Sequence, residues 1–179
     1  MSSNSDDRSK SSDSQRAQAL RQALIRNFDS VAPQREVREP LYESLFARLA
    51  AGTAARKLGA SIDTVPPGKR SCPYHFHHAQ EEMFIVLEGT GTLRVAGEML
   101  ALSAGDIAFI PPGPQYPHQL INTSAQPLKY LSISTRESPE VVEYPDSGKY
   151  LARVSGDAGP LFDAIARTGT TLDYWDGEP

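Results

Sequence analysis

From Thr53 to Arg136 the chain is cut into short apolar segments by glycine and proline, and this punctuation limits the fold more than any other feature. The segments run near 56–65, 74–78, 82–88, 91–96, 99–102, 106–110, 118–122 and 128–134. Between them stand Pro66-Pro67-Gly68, Gly89, Gly97-Glu98, Gly105 and Pro111-Pro112-Gly113. Proline presets φ and glycine tolerates φ > 0, so these are turn residues. The segments are too short for ordinary helices and show no βαβ alternation. About eight short strands in sequence predict an all-β sandwich or barrel of the jelly-roll type.

The histidines are distributed as unevenly as the turns. Of four in the chain, His75, His77 and His78 sit together, and His118 follows the turn-rich stretch 105–117. Residues two apart on a strand share a face, so a strand at 74–78 points His75 and His77 to one side. Four residues then separate His77 from Glu82, enough for a hairpin loop that returns Glu82 on the neighbouring strand. Two imidazoles and a carboxylate, joined by the imidazole of His118, form a donor set suited to a divalent transition metal. His78 has the opposite parity and is expected to face outward. Glu81 is read as a solvated loop carboxylate, and as the alternative ligand if Glu82 is the wrong glutamate. Cys72 is out of phase with His75 and is read as a small buried residue.

The rest of the chain supplies arms. Residues 1–15 carry seven serines and three aspartates, too polar to order themselves, and are expected to be a disordered tail. Ala17, Leu20, Leu24 and Phe28 recur at helical spacing, predicting a short helix over 16–28. Residues 29–40 read as a wrapping loop. Residues 41–51 are helical on propensity or extended if a sheet captures them. The domain plan is therefore a tail at 1–15, a helical or extended arm at 16–52, a barrel at 53–136 and a C-terminal extension at 137–179 packed on it. Within that extension, 161–167 reads as two helical turns and Trp175 as an aromatic anchor on an apolar surface.

Composition bounds the partners. A net charge of −4 over 179 residues leaves no electrostatic footprint for nucleic acid or an anionic membrane surface. One cysteine permits no internal disulfide, no apolar run approaches the ~20 residues of a membrane helix, and the N-terminus lacks a signal-peptide core. The expectation is a cytoplasmic protein. In the segment 82–88, inward Glu82, Phe84 and Val86 leave Met83, Ile85 and Leu87 outward, an apolar face that needs a cover; a homodimer is the preferred one.

The pattern His75-x-His77-x4-Glu82-x6-Gly89, followed by Gly105-x5-Pro111-x-Gly113-x4-His118-x3-Asn122, resembles the two signature motifs of the cupin superfamily. It departs from them twice. Six residues separate Gly68 from His75 where the pattern has five, and four separate Gly113 from His118 where it has two. The resemblance implies an all-β double-stranded β-helix (jelly-roll) cupin barrel, here with short helical N- and C-terminal extensions. It also implies that His75, His77, Glu82 and His118 hold one divalent metal ion, Mn, Fe, Ni or Zn. Small single-domain relatives suggest a metalloenzyme acting on a small polar metabolite, best read as a sugar or sugar-phosphate isomerase. The rivals are an Fe-dependent dioxygenase and a non-catalytic small-molecule binding or sensing module. No residue stands out as a general base, so the sequence assigns no catalytic residue. Lys69, Arg70, Arg94 and Lys129 are the cations nearest the motifs and the candidates for an anion at the barrel mouth. Phe84, Phe109 and Tyr116 are candidate pocket aromatics, and Asn122 a structural hydrogen-bond former.

Overall fold

The computed structural model describes residues 4–156, 159–169 and 171–179. Helix α1 (Asn4–Leu24) and one 3-10 turn (Phe28–Ser30) lead into the strands. These are β1 (Gln34–Arg38), β2 (Tyr42–Arg48), β3 (Leu58–Val65), β4 (Phe76–His77), β5 (Glu82–Glu88), β6 (Thr90–Val95) and β7 (Glu98–Ser103). They continue with β8 (Ile107–Ile110), β9 (His118–Ile121), β10 (Leu128–Thr135), β11 (Glu140–Tyr144), β12 (Lys149–Gly156) and β13 (Gly159–Arg167). The segments expected from punctuation all form, as β3 to β10.

The strands form three sheets, two of which face each other across the core. One has the order β1-β2-β3-β10-β5-β8, the second β7-β6-β9, and the third β13-β12-β11-β4. Alternation sets which residues turn inward. On β5, Phe84 and Val86 are buried, and they meet Leu93 of β6, Leu120 of β9 and Leu128 and Tyr130 of β10 in one apolar cluster. Each such side chain contributes about 1.5–3 kcal/mol by leaving water. The motif glycine Gly89 has φ +82° and faces the Pro127 carbonyl so closely that no side chain fits. Only glycine makes this turn without strain.

The arms depart from expectation. Helix α1 starts at Asn4, within the serine-rich stretch, and it stops at Leu24 instead of Phe28. Residues 1–3 of the expected tail lie outside the described residues. The helix stops early because the Ala23 carbonyl accepts from Ala54 N at 2.8 Å, while Arg26 Nη2 donates to Gly52 O at 2.8 Å. Part of the expected wrapping loop is β1, and the ambiguous 41–51 stretch is captured as β2, paired with both β1 and β3. Sheet pairing also overrides the helical reading of 161–167: β13 pairs with β12 from Gly159↔Gly156 to Arg167↔Lys149. The C-terminal extension is thus a three-stranded meander, β11-β12-β13, joined to β4 through β11. Trp175 does not anchor: it packs edge-on against Tyr174 and is 70% exposed.

Candidate metal centre

His75 and His77 project from the short β4 segment, as residues two apart must. Their neighbour differs from the one expected. His75 forms an antiparallel bridge with His118, closed by His75 N→His118 O at 3.1 Å and His118 N→His75 O at 2.7 Å. Glu82 comes from across the barrel, on β5, which pairs with β10 and β8 and not with β4. The acid is therefore contributed by the opposite sheet. A hairpin return is not how it arrives, because the loop 78–81 crosses between sheets.

The four groups meet at one carboxylate oxygen. Glu82 Oε2 lies 2.7 Å from His118 Nε2, 3.4 Å from His77 Nε2 and 3.9 Å from His75 Nε2. One donor atom each from His75, His77 and Glu82 falls within 4.8 Å of the others, and the fully buried His118 ring closes the group at 4.6 Å from His75, centroid to centroid. The two extra residues before His118 leave it in place, because they are taken up in the turn where Tyr116 N donates to Gly113 O.

The other face of each ring shows which nitrogen carries its proton. Nδ1 of His75 donates to Pro73 O at 2.8 Å, Nδ1 of His77 to Glu140 Oε1 at 3.3 Å and Nδ1 of His118 to Tyr116 O at 3.1 Å. With Nδ1 committed, each ring turns its Nε2 toward the Glu82 carboxylate. Three imidazole nitrogens gathered around one carboxylate are a donor set that a divalent cation matches. Burial pushes the Glu82 carboxyl up, but hydrogen bonds from His118 and His77 and their charge outweigh it, holding Glu82 well below the usual carboxylate range.

The remaining sequence candidates sort by strand parity. His78 faces away, half-exposed, with Nε2 on Glu143 Oε1 at 2.7 Å. Glu81 is exposed, so Glu82 is the glutamate that reaches the rings. Cys72 Sγ lies 3.9 Å from His75 Nδ1, the nitrogen turned from Glu82, and burial pushes its thiol up to about 12. Asn122 is fully buried and structural: its amide donates to Val65 O and Gln126 O and accepts from Ser124. Phe84 lies in the core beside His118, whereas Phe109 is outward and 67% exposed, so it lines no part of the centre.

Residues that sequence reasoning missed complete the site. Glu140, on β11, is buried and also accepts from His78 N and Gln80 N. A 210 Å³ pocket bounded by His75, His77, Glu140, Tyr144 and Arg153 opens beside it. Arg153 also walls a larger, 530 Å³ cleft on the inner face of the six-stranded sheet. Ser134, in that cleft, is the cross-strand partner of Glu82. Also in the cleft is Asp63, in register with Phe46 on β2 and Tyr130 on β10. Burial pushes its carboxyl up to about 6, against a 2.6 Å hydrogen bond from Ser61 that pulls the other way. Three of the expected mouth cations are engaged elsewhere, Lys69 with Glu39, Arg94 with Asp146 and Lys129 with Glu88; Arg70 makes backbone bridges to Tyr42 and Ile121.

The two facing sheets and the inward donor group define a cupin jelly roll, and the comparisons agree. Residues 61–134 match the family model described as "Cupin domain". An uncharacterized protein of Methanocaldococcus jannaschii is 34% identical over 83 residues; the match takes in 44% of this chain and 64% of that relative, under two thirds of its length. A crystal structure from Acidithiobacillus ferrooxidans, provisionally named a sugar phosphate isomerase, is 25% identical with a TM-score of 0.73, covering 86% of this chain and 97% of its own. A cupin-superfamily structure from Silicibacter pomeroyi, named a sugar phosphate isomerase, is 24% identical with a TM-score of 0.69, covering 84% and 97%. No helix among the described residues is long and apolar enough to cross a membrane.

Proposed function

We propose that this chain is a metal-dependent isomerase of sugars or sugar phosphates, its ion held by His75, His77, Glu82 and His118. The observation that carries the reading is the tautomer arrangement: three Nδ1 atoms tied to acceptors and three Nε2 atoms turned on one ionised carboxylate. A divalent ion held there supplies Lewis-acid polarisation of adjacent carbonyl and hydroxyl oxygens.

The residues of the chain do the rest. Asp63 is the proton-transfer group that the sequence alone did not single out. Its carboxyl is half-buried in the cleft that also holds Ser134, the cross-strand partner of Glu82, and burial pushes its pKa up to about 6, the range in which a general base works well. It takes the proton from the hydroxyl-bearing carbon next to the carbonyl. The C–H electron pair becomes the enediol double bond, and the carbonyl oxygen takes up a proton. Return of the carbon-bound proton to the neighbouring carbon, with loss of a hydroxyl proton, completes an isomerisation that consumes nothing. Ser61 holds Asp63 in place. The name of the Acidithiobacillus structure supports the same substrate class.

Elemental analysis of protein purified without added metal, paired with NMR of sugar phosphates in D₂O, tests this. Stoichiometric metal and deuterium at the carbon next to the carbonyl are expected. Iron with substrate-dependent oxygen uptake instead identifies a dioxygenase, and a site that stays empty in metal-replete buffer overturns both enzymatic readings.

A further inference from the structure

The 530 Å³ cleft has the size of a small-metabolite site, and its charges are arranged in rows. The deepest row is Phe46, Asp63 and Tyr130; the next is Arg48, Ser61 and Ser132; Gly59 and Ser134 follow. Arg136, two residues past Ser134, stands at the rim. Same-face rows are about 7 Å apart, so the acid lies at one end and the cations toward the other.

Of the three cations lining the cleft, only Arg153 is engaged: its Nε and Nη2 donate to Asp163 Oδ2 at 3.1 and 2.7 Å. Arg48 and Arg136 have no ion pair and no side-chain hydrogen bond among the described residues. Arg48 lies 5.7 Å over the Phe46 ring, which keeps its guanidinium along the cleft wall. The other acid of the cleft, Glu36, leans on Arg38 at 3.9 Å. Gly59 keeps the floor open, since a Cβ there would come within 2.7 Å of Ser134 Oγ and 3.8 Å of Arg136 Cγ. Two uncommitted guanidinium groups fit a compact dianion, which they bind bidentately. The hydroxyls of Ser132 and Ser134 between them and Asp63 fit a chain of alcohol groups.

We infer that Arg48 and Arg136 seat the phosphate of a phosphorylated open-chain polyol whose hydroxyls run past Ser132 and Ser134 toward Asp63. This rests on the isomerase reading for the polyol part of the ligand, while the anion seat stands on the cleft alone.

Calorimetric titration of the full chain with a hexitol 6-phosphate, the matching hexonate and the unphosphorylated hexitol tests it, with metal content recorded on the same samples. The phosphorylated polyol is expected to bind at least tenfold tighter than either other compound. The double variant Arg48→Gln with Arg136→Gln is expected to lose that preference while keeping its metal content, and Arg48→Lys with Arg136→Lys to restore part of it. Equal affinity for hexitol and hexitol phosphate in the unaltered chain overturns the seat, whether or not the variants fold. A preference for the hexonate overturns the phosphate assignment. A preference for phosphate in a chain that takes up no metal upholds the seat and overturns the isomerase reading instead.

Discussion

Glu140 accepts the Nδ1 proton of His77 across 63 residues of sequence, at 3.3 Å. It thereby fixes the tautomer of a ring whose other nitrogen faces Glu82. Carboxylates placed behind a ligating histidine in this way tune its basicity, and their loss costs about 10–100-fold in metal affinity. Glu140→Gln removes the negative charge behind His77, while its one amide oxygen can still accept from His77 Nδ1 and His78 N. It is expected to weaken metal binding by that order, read by competition with a chromogenic chelator, and to lower Tm because the amide nitrogen then faces Gln80 N, a donor. An unchanged affinity would show that His77 needs no such support.

His118 and His78 make a paired control. His118→Ala removes a buried ring from the centre and is expected to lower metal content sharply. His78→Ala removes a half-exposed ring bonded to Glu143 and leaves metal content unchanged. Equal loss in the two variants would mean that the ligand assignment is wrong.

Asp63 gives a pH signature. Its folded-state pKa, near 6 because of burial, lies above the ordinary carboxylate value, so the folded chain holds this proton more tightly than the unfolded one does. Stability from this group is therefore lost as pH rises from about 4 to about 6, by roughly 3 kcal/mol in all, and stays lost above. Asp63→Asn is expected to raise Tm at pH 8 and to leave it unchanged at pH 4. Turnover in the unaltered chain should rise through pH 6, and the variant should lose at least about a hundredfold. A variant that keeps full turnover would remove Asp63 from the chemistry.

The outer face of the six-stranded sheet predicts association. Met83 and Ile85 of β5 pair with Phe109 and Ile107 of β8, and the latter two are 67% and 51% exposed. A second copy of the chain is the expected cover. Light scattering should return twice the chain mass, and Phe109→Asp should return one. A monomeric unaltered chain would leave this face without that partner.

The barrel strands were legible because their signals are local. Gly89 and the Pro111-Pro112-Gly113 run mark turns whatever surrounds them, and alternation along Glu82–Glu88 states which side chains turn inward. The pairing of His75 with His77 is local in the same sense. Propensity pointed to helix at 161–167 and also at 41–51, where sheet capture was the open alternative, because a strand's hydrogen-bond partners lie in other segments and only the assembled sheet supplies them. The same reason hid much of the site. Tertiary structure alone brought Glu82 from the opposite sheet, Glu140 from β11 to the back of His77, and Asp63 between Phe46 and Tyr130, where burial alters its chemistry. Sequence thus determined which donors this protein owns and the spacing of two of them. Which donors face one another was decided by how the three sheets come together, a matter of contacts between residues far apart in the chain.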